Sequence, residues 1–182
     1  VDRRTKDGKA QWEAFVSQNQ GKAIITSDQQ VTVCNVAASA LKALTTNGIT
    51  FDATELMMSY ESMIPFKFAI DAVGSDGYLY DIKTTEDATP RGFKSSAINY
   101  KYYLQAFFYY QLYWWATKVK PKGFRFVVVE KNPPYAVAIY ELGPTLMMWG
   151  SEDFDKAVKL YEQCTATNEW PGFATDPQVI DV

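Results

Sequence analysis

A chain of 182 residues, 47% hydrophobic and 21% charged, has the length for one domain with a sizeable core, and its aromatic content of 15% is high. It holds no histidine, which excludes Ser-His-Asp and Cys-His catalysis and histidine-ligated zinc. Two cysteines, Cys34 and Cys164, are too few for a four-thiolate zinc or iron–sulfur site, and a net charge of −3 argues against a protein that coats DNA. Metal chemistry in such a chain must use oxygen ligands, which points to Mg²⁺, with Mn²⁺ as a substitute. No apolar run reaches the roughly 18–20 residues of a membrane span, no signal-peptide pattern is present, and both thiols read as reduced, so a cytoplasmic setting with no membrane partner is expected. The chain opens on Val1 rather than Met, as a trimmed chain or fragment does.

Trp12, Phe15 and Val16 recur at near-helical spacing and predict a first helix over roughly 8–18, ended by Gly21. Ser27 and Asp28 offer N-caps for a second helix to about Thr45, with Val31, Cys34, Ala38, Leu41 and Leu44 on one stripe. From Phe51 the period changes to that of strands, and 51–60, 64–73 and 78–84 read as an antiparallel meander. A loop containing Pro90 and Gly92 precedes 95–119, a segment too long and too apolar for a strand and therefore a buried helix, broken by Pro121-Lys122-Gly123. Strands over 124–130 and 135–142, a helix over 144–165 and an irregular tail over 166–182 complete the chain. The sum is an α/β (α+β) fold, a mixed central sheet flanked by helices, in a single domain over 1–182.

The chemistry concentrates between residues 71 and 83. If Ser75, Asp76 and Gly77 form a three-residue loop, Asp71 falls opposite Asp81, and the period of two puts Leu79, Asp81 and Lys83 on one face of the sheet. Two carboxylates and an ammonium on mostly apolar strands are costly to bury without a metal or a charge partner. The same hairpin also reads as a solvent-facing edge. Glu55, with a short loop at 61–63, would lie opposite Ala69 and on the face of Asp71, whereas Glu61 falls in the turn. Further along, Tyr102, Gln105 and Tyr109 share one helix face, and the amide of Gln105 stands out in an otherwise aromatic segment whose Phe107 and Phe108 read as core. Thr84 and Thr85 can bond phosphate or simply form strand. Arg91, Lys94 and Lys101 follow the acidic cluster and can track a DNA backbone, while Lys118, Lys120 and Lys122 read as solvated charge at a helix end.

A carboxylate followed about ten residues on by Asp-x-Lys, here Asp71 and Asp81-Ile82-Lys83, resembles the PD-(D/E)xK nuclease signature. Gln105-x-x-x-Tyr109 on the next helix resembles the added motif of the RecB-like branch of that superfamily. Taken with Thr84-Thr85 and the Tyr-x-Tyr-x-x-Gln-x-x-x-Tyr block from Tyr100, the chain resembles the exonuclease VIII (RecE) type of phage recombination exonuclease over about a quarter of its length.

The resemblance implies a restriction-endonuclease-like core and metal ligation by Glu55, Asp71, Asp81 and the Ile82 carbonyl. It makes Lys83 the catalytic lysine and Gln105 and Tyr109 the helix motif; beside it, Thr84, Arg91, Lys94, Lys101 and Tyr102 are the expected contacts to DNA. It further implies a Mg²⁺-dependent 5′→3′ exonuclease acting on double-stranded DNA ends, a ring-shaped homo-oligomer, a single-strand annealing recombinase as partner, and a bacterial or phage-infected host cell. One departure stands out: such nucleases commonly add a histidine from an N-terminal helix, so either the matching segment precedes Val1 or this protein dispenses with it. An endonuclease of the same fold and a non-catalytic DNA-binding module are the alternatives. Removal of Asp81 is expected to uncover no unpaired positive charge.

Overall fold

The computed structural model describes residues 2–172, so most of the tail expected to be irregular lies outside the described residues. The chain divides into two compact units, residues 1–34 and 35–182. The first contains α1 (Lys6–Gln18), capped by Thr5 Oγ1 accepting from the Gly8 N–H at 3.0 Å, and the opening turns of α2 (Ser27–Thr46). The cap of α2 lies one residue ahead of the expected Ser27. Thr26 Oγ1 accepts from the Gln29 N–H at 3.2 Å while Gln29 Oε1 accepts from the Thr26 N–H at 2.8 Å, a reciprocal capping box.

The second unit is built on β1 (Phe51–Tyr60), β2 (Phe66–Gly74), β3 (Leu79–Thr85), β4 (Phe124–Glu130) and β5 (Val137–Glu141), in that order across one five-stranded sheet. All neighbours pair antiparallel except β3 and β4, which are parallel and therefore need a crossover. That crossover is α3 (Pro90–Asn99) followed by α4 (Tyr102–Thr117), and the last helix is α5 (Pro144–Thr167). The expected loop at Pro90 and the single long helix after it are thus corrected to two helices. Proline fits the first helical position, where its missing N–H is not needed, and Thr89 Oγ1 caps the helix by accepting from the Gly92 N–H at 3.2 Å. The break falls at Tyr100 and Lys101, the latter with φ 53°.

The sheet separates two apolar layers. One face packs Phe68, Leu79, Phe126 and Val128 against Phe93 of α3 and Ala106 and Leu112 of α4. The other packs Ala72, Tyr80, Val127 and Val129 against Ala40, Leu44 and Val36 of α2. The buried stripe of α2 in this unit is therefore Val36, Ala40 and Leu44, and the expected Ala38 and Leu41 are exposed. A small residue at the centre of the i, i+4, i+8 row lets the helix lie close to the sheet, whereas the larger side chain of Leu41 would hold it off.

α4 meets α5 at Gly150, where an added Cβ would lie 2.6 Å from both Phe107 Cβ and the Tyr103 carbonyl oxygen. Neither atom is the free end of a flexible chain. Gly150→Ala should destabilise the protein by about 1–3 kcal/mol, as overpacking does, and lower the thermal midpoint. An unchanged midpoint would show that α5 can step away from α4.

Candidate active site

Between β2 and β3, Gly74 and Tyr78 close a loop of three residues, Ser75, Asp76 and Gly77. The Gly74 N–H donates to the Tyr78 carbonyl at 2.8 Å, and Gly77, with φ 88°, supplies the left-handed turn that three-residue hairpins require. This fixes Val73 opposite Leu79 and Ala72 opposite Tyr80, so one step on Asp71 stands level with Asp81. There the regular ladder stops, and the Asp71 side chain takes over: its Oδ2 accepts the Ile82 N–H at 2.8 Å.

Asp71 also marks a change of face. Ile70 belongs to the layer under α4 and Ala72 to the layer under α2, although strict alternation would keep residues two apart on one side. Opposite it, the pairs Thr54–Ala72 and Leu56–Ile70 bracket Glu55, which has φ 50° and interrupts the burial alternation of β1. The register is two residues away from the expected Glu55–Ala69 pairing, which corrects that reading and puts Glu55 level with Asp71.

Asp81 is buried, with 2% of its surface exposed. Its Oδ1 accepts from Gln105 Nε2 at 2.8 Å, and its Oδ2 stands 2.7 Å from Lys83 Nζ without hydrogen-bond geometry to any partner. Burial raises the Asp81 pKa above the ordinary aspartate value of 3.8; the Lys83 ammonium and the Gln105 amide oppose that rise and the Asp71 charge adds to it. Lys83 in turn lies over the Tyr102 ring at 4.8 Å and the Phe126 ring at 6.0 Å, so its charge is held between a carboxylate and two π-faces. Removing Asp81 would therefore leave Lys83 without its ion partner, contrary to the expectation from sequence.

The structure gathers Asp71, Asp81, Ile82, Lys83, Gln105 and Tyr102, sets Glu55 and Thr84 at their margin, and leaves the other expected site residues elsewhere. Tyr109 shares the face of Gln105 but packs its ring on Phe68 and Phe124, each at 6.3 Å, as part of the core. Glu55 is exposed, and among the described residues no three acidic side chains cluster closely enough to hold a metal. Thr84 is exposed on β3, and Arg91 and Lys94 are exposed on α3. Lys101 is tied to Asp153 of α5 at 2.9 Å, which also accepts the Tyr103 hydroxyl at 2.9 Å, so its charge is already matched. Sequence reasoning missed Phe126, which reaches the site through the pairing of distant strands, β3 with β4, where Asp81 aligns with Phe126, and it missed Asp153, which holds Lys101 away from it.

The donor set suits a hard divalent cation. Two carboxylates stand side by side, one of them buried and balanced by Lys83 alone, and Mg²⁺ is commonly held by one or two carboxylates plus water and substrate phosphate. A hairpin with an aspartate on its first strand and Asp-x-Lys on its second, feeding a parallel β4 through helices, is a PDDEXK-like, nuclease-type fold. The chain belongs to the family described as PDDEXK-like domain of unknown function (DUF3799), whose model matches residues 9–181. A candidate exonuclease from Eubacterium rectale shares the fold, with a TM-score of 0.58 at 12% identity over 84% of this chain and 59% of that one. This chain therefore spans less than two thirds of that protein. An alkaline exonuclease (LHK-Exo) from Laribacter hongkongensis matches at 12% identity over 91% of this chain and 89% of its own, with a TM-score of 0.37. A comparison with curated proteins finds no match. No helix among the described residues is long and apolar enough to cross a membrane.

A folded-state pKa raised above the unfolded value means that the Asp81 contribution to stability is present at low pH and lost as pH rises through the folded pKa. In metal-free buffer, Asp81→Asn keeps an acceptor for Gln105 and removes the buried charge. Its stability relative to the parent should therefore increase as pH rises from below 3.8 to neutrality, read from paired denaturant titrations. A difference that shrinks over that range would mean that the Lys83 pair outweighs burial.

Proposed function

We propose that this chain is a divalent-metal-dependent deoxyribonuclease, and within that class a 5′→3′ exonuclease on double-stranded DNA ends that makes single-stranded tails for recombination. The observation that carries the reading is Asp81, a buried carboxylate with one oxygen fixed by Gln105 and the other ion-paired to Lys83 at 2.7 Å, beside a second carboxylate, Asp71. A core built only for packing would have no use for that arrangement.

Asp71 and Asp81 would hold the cation, Mg²⁺ or in its place Mn²⁺, with the Ile82 carbonyl as the further ligand that the resemblance implies. When bound, the metal supplies positive charge against the scissile phosphate and lowers the pKa of a water. Gln105 sets the orientation of Asp81 by donating to Oδ1. The Ile82 N–H does the same for Asp71 Oδ2. Lys83, braced over Tyr102, positions the nucleophile or stabilises developing charge on phosphate oxygens. Arg91 and Lys94 follow the duplex backbone.

With a net charge of −3 the chain has little general attraction for DNA, and closure into a homo-oligomeric ring would retain the substrate without a basic surface. Trp114, Trp149 and Trp170, all exposed, are candidates for that contact, and a single-strand annealing recombinase is the partner that would receive the tails. A non-catalytic DNA-binding module is the second reading, favoured by the lack, among the described residues, of a cluster of three acidic side chains able to hold a metal.

A mixture of linear and covalently closed plasmid decides between these readings. The linear form should be degraded with Mg²⁺ or Mn²⁺, the circle spared, and EDTA should stop the reaction, with Ca²⁺ supporting little cleavage. Light scattering on the same sample should give the mass of an oligomer. Rapid nicking of the circle would make the enzyme an endonuclease, and binding without cleavage in either metal would establish the module.

Gln105→Ala should lower turnover far more than stability. Leu112→Ala, which empties a site with no exposed surface, should cost about 2–5 kcal/mol of stability. Equal unfolding in both variants would return Gln105 to the packing of α4.

A further inference from the structure

The passage from α3 to α4 runs through Tyr100 and Lys101, and Lys101 adopts a left-handed backbone that a residue with a side chain takes only against resistance. The Lys101–Asp153 ion pair at 2.9 Å and the Tyr103 hydroxyl on the same carboxylate hold the break in place. Its consequence is that Tyr100 leaves the packed face: 71% of its surface is exposed, whereas the other aromatics of the segment, Trp114 apart, are buried or half-buried. An exposed aromatic on a braced, strained turn is a feature that packing does not account for.

Tyr100 lines two cavities. One, of about 680 Å³, lies among Pro65, Leu104, Phe108 and Tyr161, is mostly apolar, and reaches Gln105. The other, of about 300 Å³, is more polar and reaches Lys83, with Thr84, Ser96 and Tyr102 along its wall. Glu86 and Asp87 also line it, but Glu86 is paired with Lys131 at 3.2 Å and Asp87 accepts the Thr89 N–H at 2.8 Å. Each cavity therefore contains one of the two side chains that grip Asp81, and the Tyr100 ring stands on the ridge between them, 5.7 Å from the Tyr102 ring that braces Lys83.

We propose that Tyr100 is a stacking residue for an unpaired nucleobase at the end of a DNA strand, with the apolar cavity receiving the base and the polar cavity receiving the adjoining sugar and phosphate. The proposal rests on the nuclease reading and adds to it the part of the substrate that is recognised. An apolar wall cannot solvate phosphate, but it matches the flat face of a base, and aromatic stacking tolerates any sequence. The larger volume lies in the range of about 300–1,000 Å³ of small-ligand pockets. A base inside a duplex is already stacked on its neighbours, so only one released from pairing can use the ring.

The test uses the full chain in Ca²⁺ buffer, which limits cleavage, with linear duplexes carrying 2-aminopurine either at a terminal or at an internal position. Binding should change the fluorescence of the terminal probe on one strand and leave the internal probe unchanged. Tyr100→Ala should abolish that change and weaken binding to the duplex by about tenfold or more, with an unaltered thermal midpoint because the ring is exposed; Tyr100→Phe should retain both. A chain that binds duplex but leaves the terminal probe unchanged, or a Tyr100→Ala variant with parental signal and affinity, overturns the stacking role alone. A chain that binds no DNA removes the nuclease reading itself. A Tyr100→Ala variant that alters mass in light scattering while leaving DNA affinity intact assigns the ridge to contact between copies and also overturns the proposal.

Discussion

The burial of one carboxylate is the constraint on which the rest of this structure depends. Asp81 sits in the middle of the sheet with strands on both sides, and ionised it loses hydration that no single neighbour replaces. Gln105 satisfies one oxygen and Lys83 balances the charge, yet desolvation still raises the pKa. Each of those partners needs its own support. Lys83 rests over Tyr102 and Phe126, and Gln105 is placed by a helix that runs between the sheet and α5. The crossover between β3 and β4 thus does two things: it makes the strands parallel, and it delivers an amide to the carboxylate on the first of them.

That double role explains the composition of α4. A helix covered by the sheet on one side and α5 on the other has little reason to be polar, and Tyr102–Thr117 is aromatic or aliphatic almost throughout. The helix holds two amides, Gln105 and Gln111, and it is Gln105 that meets a buried carboxylate. Gln105 and Tyr109, one turn apart on the same face, part company because the glutamine head reaches Asp81 while the tyrosine ring stays in the layer formed by Phe68 and Phe124.

Much of this was legible in the sequence for local reasons. The hairpin follows from Gly77 and the three-residue loop; the five strands follow from their period; and Gln105 follows from being the wrong polarity for its surroundings. What was not legible depended on contacts between distant segments or on competition between near-equivalent local choices. Pro90 signals a break or a first helical turn with equal force, and only the Thr89 cap decides. The break at Lys101 is held by Asp153, fifty-two residues away in sequence. Glu55 and Asp71 face each other where both strands depart from regular alternation, and a period-two rule has no means of foreseeing a change of face.

Two acidic clusters, one at Asp76 in the hairpin loop and one at Asp81 on β3, show how such sites can be told apart. Asp76, in the hairpin loop, accepts from the Tyr78 N–H at 3.2 Å, the Tyr80 hydroxyl at 2.7 Å and Arg125 at 2.9 Å, and Arg125 continues to Glu141 and lies 3.4 Å over the Tyr78 ring. Both of its oxygens have donors, and the network ties the loop to β4 and β5. Asp81 is more deeply buried, with Gln105 on one oxygen and Lys83 2.7 Å from the other. Each cluster sets two carboxylates against one cation, Asp76 and Glu141 against Arg125 and Asp71 and Asp81 against Lys83. The difference is depth: the first is partly exposed and water shares its charge, whereas Asp81 is buried and desolvation raises its pKa. A brace gains nothing from being placed where ionisation is most costly, and that depth, more than the Asp-x-Lys spacing itself, separates a candidate site from a brace.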